Sequence, residues 1–206
     1  LTSLTLGGTF GGDIPKDILD RFTSLVNLNL AHPGGGSKQF AAATNPGVCT
    51  CPNVSNTVTN YTVTSNAFTG FDSSPGPGLV SVKTSTSITD LNLNNCGILQ
   101  DNNFSIAGGN SSISTINISR TRLPIPDLNG KSSLTSFVAT QIGNVGQSLS
   151  LFSGNTYKFN NCNSLNVLSM PSTAVVGALP QFNNTSLTTI NLLSTNLTGG
   201  EHNGST

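Results

Sequence analysis

Leu25-Val26-Asn27-Leu28-Asn29-Leu30 decides the fold. Its apolar residues stand at the first, fourth and sixth places, and its asparagines stand between them. The same spacing occurs at Leu1, Leu4 and Leu6, and again at Ile88, Leu91 and Leu93. It returns at Ile113, Ile116 and Ile118, then at Leu134, Phe137 and Ala139. Leu165, Leu168 and Met170 carry it further, and Leu187, Ile190 and Leu192 carry the last of seven copies. The last two apolar places of each copy are two residues apart, which is the side-chain period of a strand. One short strand cannot bury that face alone. Stacked coils can, because each covers its neighbour and all share one parallel sheet.

The residue between the two inward places must then face outward, on the concave side. These residues are Thr5, Asn29, Asn92, Asn117, Val138, Ser169 and Asn191, all polar except Val138. Eight residues after each first apolar place the chain leaves the strand. Thr9, Cys96, Thr121, Thr173 and Thr195 stand there, with Pro33 and Ile142 as departures. A short hydroxyl or thiol at such a corner can satisfy the turning backbone. Serine precedes six copies, at Ser24, Ser87, Ser112, Ser133, Ser164 and Ser186.

The copies resemble those of leucine-rich-repeat proteins over residues 1–30 and 87–200. Gly12-Asp13-Ile14-Pro15 resembles the plant-type repeat, and the serine- and threonine-rich copies resemble protist surface antigens. The resemblance implies a solenoid with a parallel β-sheet on its concave face. Asp13 and Pro15 can begin one short helix, running through Lys16 to Phe22. Later coils are rich in Gly, Ser, Asn and Pro, so their convex side is expected to be irregular with few helices. Three parts follow: 1–32 with the first two coils, an insertion over 33–86, and 87–206 continuing the same solenoid.

The insertion holds Gly34-Gly35-Gly36, Pro46-Gly47 and Pro75-Gly76-Pro77-Gly78, which is loop composition. Within it Thr57 to Thr64 alternates like a strand, and Leu79-Val80-Ser81-Val82 is its expected hairpin partner. The excursion reads equally as a binding or assembly arm and as a tolerated insertion.

Charged residues make up only 8% and the formal net charge is zero. A nucleic-acid footprint needs clustered Lys and Arg, so none is expected. No apolar run is long enough to span a bilayer. Four cysteines, Cys49, Cys51, Cys96 and Cys162, suggest a disulfide framework in an extracellular chain. The three pairings stay open, and the lone CxC makes zinc a poor alternative.

Glycan acceptors of the Asn-x-Ser/Thr type occur at Asn53, Asn60, Asn103, Asn110, Asn117, Asn183, Asn184, Asn196 and Asn203. That number is close to what the composition gives by chance, so placement carries the weight. Most fall in expected turns or in the insertion, where sugar is tolerated. Asn117 is the exception. A glycan there would obstruct the concave face, and a side-chain pair with Asn92 is the preferred role.

No catalytic, metal or cofactor-binding residue stands out, and no enzyme is expected. The two histidines, His32 and His202, have no nucleophile motif beside them. Asp13, Asp17 and Asp20 suit capping and a solvated face, Asp90 lies beside the concave column, and Asp101 and Asp127 sit in turns. Two functions remain in view. One is a glycosylated extracellular assembly protein whose copies stack head to tail into a coat or filament. Thr206 followed by the Leu1 of another copy would make a coil of plausible length. The other is a cell-surface receptor or adhesin ectodomain taking a protein or carbohydrate ligand on Asn29, Asn92, Asn117, Ser169 and Asn191. Ice binding, suggested by Thr57, Thr59, Thr62 and Thr64, ranks far behind.

Overall fold

The computed structural model describes residues 1–5, 21–31, 55–64, 82–96, 101–143, 148–153, 156–178 and 186–198. Eight short strands form one parallel sheet. They are β1 (Ser3–Thr5), β2 (Asn27–Ala31), β3 (Asn60–Thr64), β4 (Asp90–Asn92), β5 (Thr115–Asn117), β6 (Ser136–Val138), β10 (Val167–Ser169) and β12 (Thr189–Asn191). They lie side by side in chain order, each parallel to the next. The fold is thus sheet-rich and solenoid-like. Among the described residues the sole helical stretch is a single turn over 82–84. No helix among them is long and apolar enough to cross a membrane.

Register explains why the strands are where they are. Leu4, Leu28, Tyr61, Leu91, Ile116, Phe137, Leu168 and Ile190 fall on one line across the sheet. From Leu28 to Leu168 each member of that line is buried. The first and sixth apolar places flank it, and Leu25, Ile88, Ile113, Leu134 and Leu165 are buried, as are Leu30, Leu93, Ile118, Ala139 and Met170. Each fully buried aliphatic side chain contributes about 1.5–3 kcal/mol by leaving water. A one-residue slip would turn the whole line outward, so the pattern fixes the register.

The sequence hides one rung. Val58, Tyr61 and Val63 repeat the first, fourth and sixth spacing, and all three are completely buried. Their strand, β3, pairs in parallel with β2 on one side and β4 on the other. This corrects the hairpin expected within 33–86. Residues 79–81 lie outside the described set, and Val82 begins the helical turn. Alternation from Thr57 to Thr64 fits either pairing. Packing between two aliphatic rungs decides it, because only the parallel position covers Tyr61 on both sides. Of the remaining insertion, the polyglycine, Pro-Gly and CxC stretches lie outside the described residues, as does the helix expected at Asp13.

A second, smaller sheet joins the last coils. It contains β7 (Leu149–Ser150), β11 (Val175–Ala178) and β13 (Asn196–Thr198), all parallel, with β11 in the middle. Two two-residue strands, β8 (Phe152–Ser153) and β9 (Thr156–Tyr157), make an antiparallel hairpin. That hairpin accounts for the unusually long interval between Leu134 and Leu165.

The corners are equally regular. Asn95, Arg120, Gln141, Ser172 and Ser194 all have φ between 54° and 63°, seven residues after the first apolar place of their coil. Left-handed backbone costs a non-glycine residue about 1–2 kcal/mol. Bonds between coils hold it: Asn95 N donates to Ser119 O at 2.9 Å, Arg120 N to Thr140 O at 2.8 Å, and Ser172 N to Leu193 O at 2.8 Å. The next residue is buried at Cys96, Thr121, Ile142 and Thr173. Ile142 fits because that place needs burial first and a hydrogen bond second. Gly130 has φ +78° with open space where a Cβ would stand. Gly130→Ala is therefore expected to destabilise by about 1 kcal/mol through backbone strain alone, as read by urea unfolding.

Candidate functional site on the outer sheet face

Two columns of outward side chains run across the eight strands. One contains Ser3, Asn27, Asn60, Asp90, Thr115, Ser136, Val167 and Thr189. The other contains Thr5, Asn29, Thr62, Asn92, Asn117, Val138, Ser169 and Asn191. Neighbours in a column are separated by the strand spacing of about 4.8 Å. Asn29, Asn92, Asn117, Ser169 and Asn191 are thus brought into one line, with Thr62 and Val138 completing it. Asp90 is the only charged member of either column.

Side-chain bonds hold this face. Asn92 Oδ1 accepts from Asn94 N at 3.1 Å, Asn117 Oδ1 from Ser119 N at 3.1 Å, and Asn191 Oδ1 from Leu193 N at 3.2 Å. Each asparagine ends its strand and turns its acceptor back to an amide two residues on. This replaces the expected Asn117–Asn92 pair: Asn117 serves its own corner. Asn29 differs. Strand β2 runs on to Ala31, so the corner is not made there, and Asn29 Oδ1 is a buried acceptor without a hydrogen-bond partner among the described residues. In the other column Asn60 Nδ2 donates to Asn27 Oδ1. Asp90 accepts Thr115 Oγ1 on one oxygen and Thr89 Oγ1 on the other, both at 2.8 Å. The face is a lattice of hydroxyls and amides able to hydrogen-bond, with Asp90 its single charge and Val138 and Val167 its apolar members.

A second polar column runs through the interior, where the sequence shows no recurring residue type. It stands three residues before each first apolar place, at Ser55, Ser85, Asn110, Lys131 and Cys162. All but Ser55 are buried. Ser55 Oγ donates to Phe22 O at 3.2 Å, Asn110 Nδ2 to Ile88 O at 2.9 Å, and Cys162 Sγ to Leu128 O at 3.0 Å. Lys131 Nζ donates to Ala107 O at 2.6 Å, Gly108 O at 3.0 Å and Asn110 O at 2.9 Å. Each side chain thus ties its coil to the one before. The varied chemistry at one repeat position concealed the column from a search for recurring residue types.

This column and the corners place two of the four cysteines. Cys96 and Cys162 are both buried. Cys96 Sγ donates to Val63 O at 3.1 Å, the role Thr173 plays toward Ala139 O at 2.6 Å. Both cysteines act here as small apolar residues with a weak donor. Cys49 and Cys51 lie outside the described residues. Among glycan acceptors, Asn110 is buried with its Nδ2 and Oδ1 both hydrogen-bonded, which removes it from the accessible set. Asn103 and Asn196 are exposed, while Asn60 and Asn117 are half-buried on the outer face. Asn53, Asn183, Asn184 and Asn203 lie outside the described residues.

The acids that are described are all engaged. Asp101 pairs with Lys83 Nζ at 2.9 Å, and Asp127 Oδ1 accepts Asn129 N at 3.0 Å. Asp13, Asp17, Asp20, His32 and His202 fall outside the described set. Among the described residues no group of three or more His, Cys, Asp or Glu side chains could hold a metal. No family model, no curated protein and no solved structure matches this chain.

Burial pushes the Cys162 thiol up to about 11 from 9.0, opposed by a backbone hydrogen bond from Lys131. The folded thiol therefore keeps its proton where the unfolded one loses it. Its contribution is complete below pH 9 and is lost as pH rises toward 11. Cys162→Ser, whose hydroxyl does not titrate there, is expected to lose about 2–3 kcal/mol less than the natural chain across that interval. Urea unfolding at pH 8 and pH 11 would measure the difference. Equal losses in the two proteins would show that Cys162 is not the titrating group.

Proposed function

We propose that this chain is an extracellular, glycosylated leucine-rich-repeat solenoid whose copies stack head to tail into a coat or filament. The observation that carries this reading is the exposure of apolar residues at the edges of the sheet. Ile190 is 47% exposed, whereas its equivalents Leu168 and Phe137 are fully buried. Leu193 beside it is 72% exposed, and Leu1 at the opposite edge is 60% exposed. Strands β1 and β12 are also the outermost members of the sheet. Apolar side chains and strand edges at β1 and β12 would accept a further coil, whether from another copy or from more of the same chain, and a contact of unlike ends that does not close yields a fibre. The neutral hydroxyl and amide surface offers little charge repulsion between copies.

Negative-stain electron microscopy of the natively purified protein, before any deglycosylation, tests this. Uniform filaments with an axial repeat of one chain are expected. Single particles at every concentration would overturn it. Ile190→Asp should disperse the filaments by placing a charge in the buried contact.

Asn29 favours a second reading, a ligand-binding ectodomain of a cell-surface receptor or adhesin. Its Oδ1 has no hydrogen-bond partner among the described residues, and rotation of the side chain would present it on the outer column. A protein or carbohydrate ligand bearing N–H or O–H groups would then pair with it. Screening the protein against an array of glycans and cell-surface proteins, with Asn29→Ala as the comparison, tests this reading. A ligand that binds both forms equally would contradict it.

A further inference from the structure

Three glycan acceptors stand seven residues apart, at Asn103, Asn110 and Asn117, and the fold treats them differently. Asn110 is 1% exposed. Its Nδ2 donates to Ile88 O at 2.9 Å, and its Oδ1 accepts from Ser112 N at 3.1 Å and Ile113 N at 3.0 Å. Its backbone carbonyl receives Lys131 Nζ at 2.9 Å. The amide is wedged between two coils, and a sugar on Nδ2 would have to pass through one of them. Asn103 is the reverse. It is exposed in a turn held by Asn103 N to Asp101 Oδ1 at 2.9 Å and by Phe104 N to Asp101 O at 3.1 Å. Phe104 is buried and anchors the turn from below. The Asn103 side chain makes no hydrogen bond with the described residues, so its amide is available at a fixed surface point.

We propose that Asn103 carries an N-linked glycan and that Asn110 carries none in the folded protein. The inference rests on the extracellular reading given above. The donor is an oligosaccharide joined to a lipid pyrophosphate. Asn103 Nδ2 forms a bond to the sugar's anomeric carbon, the bond from that carbon to pyrophosphate oxygen breaks, and the lipid pyrophosphate departs. One amide proton leaves to a base of the transferring enzyme. Transfer precedes folding, so Asn110 is reachable at that moment. A chain modified there loses the coil contact and does not reach the folded, secreted pool.

The test uses the full chain secreted from a glycosylating eukaryotic host, with two variants that spare both asparagines. Ser105→Ala removes the acceptor motif at Asn103. Ser112→Ala removes the one at Asn110 but keeps the Ser112 amide that bonds Asn110. Intact mass of the folded protein should fall by one glycan in Ser105→Ala and by none in Ser112→Ala. Enzymatic release in heavy-oxygen water should label Asn103 and leave Asn110 unlabelled. A glycan lost in Ser112→Ala, or none lost in Ser105→Ala while other acceptors are occupied, would overturn the proposal. Sugar absent from every acceptor of protein taken from its own source would instead overturn the glycoprotein reading beneath it.

Discussion

Phe137→Ala is expected to destabilise the protein by about 3–5 kcal/mol, the range for deleting a buried aromatic ring from a packed core. Phe137 stands on the inward line of β6 and is fully buried. Its ring meets Phe159 edge-on, with centroids 5.1 Å apart and planes at 69°. Phe159 also meets Tyr157 at 5.6 Å. The rings therefore join the main sheet to the segment that carries the β8–β9 hairpin. Collapse around the hole is limited, because strands on both sides fix the coil spacing. Val138→Ala, one residue on and facing outward, is expected to cost under about 1 kcal/mol, since only a half-exposed side chain is trimmed. Urea unfolding of both variants reads the contrast. Similar costs would mean that inward and outward places on β6 are misassigned.

Lys131→Met is expected to cost about 2–4 kcal/mol, because a charged donor leaves three buried carbonyls without it. The methionine keeps most of the stem volume, so the loss reports hydrogen bonds rather than a cavity. All three ammonium protons are used, on Ala107, Gly108 and Asn110. Burial nonetheless lowers the Lys131 pKa below the usual 10.5, with Cys162 and Asp127 pulling the other way. Just below pH 10.5 the unfolded chain then binds more protons at this lysine than the folded chain does. Its contribution to stability rises with pH over that interval. Lys131→Met should lack that component, so natural and variant stabilities should diverge further as pH is raised toward 10.5. Converging curves would show that the charged form is favoured by the fold.

The strand spacing of the parallel sheet was legible because its signal is periodic and its physics is local. Seven of the eight strands in the main sheet correspond to copies visible in the sequence, and the eighth, β3, becomes visible once Tyr61 is accepted as an inward residue. Tyr61 and the long intervals on either side of β3 concealed that rung. An aromatic with a hydroxyl in an aliphatic line breaks the residue type while keeping the spacing. The outward column was legible for the same reason, since a strand must alternate. Its bonding was not. Whether an asparagine turns back to its own corner depends on where the strand ends: Asn117 ends β5 and does so, whereas Asn29 lies within β2. The interior column was invisible, because Ser85, Asn110, Lys131 and Cys162 share a position and a task but no chemistry. Cys96 and Cys162 show the same limit, since a count of thiols says nothing of the places they occupy.

The central claim is that residues 60–64 are a rung of one parallel sheet and not an arm beside it. Solution NMR on isotope-labelled protein tests it most directly, through nuclear Overhauser contacts between backbone protons of neighbouring strands. Contacts from Asn60–Thr64 to both Asn27–Ala31 and Asp90–Asn92 in parallel register are predicted. Contacts from the same residues to 79–82 in antiparallel register would contradict the account.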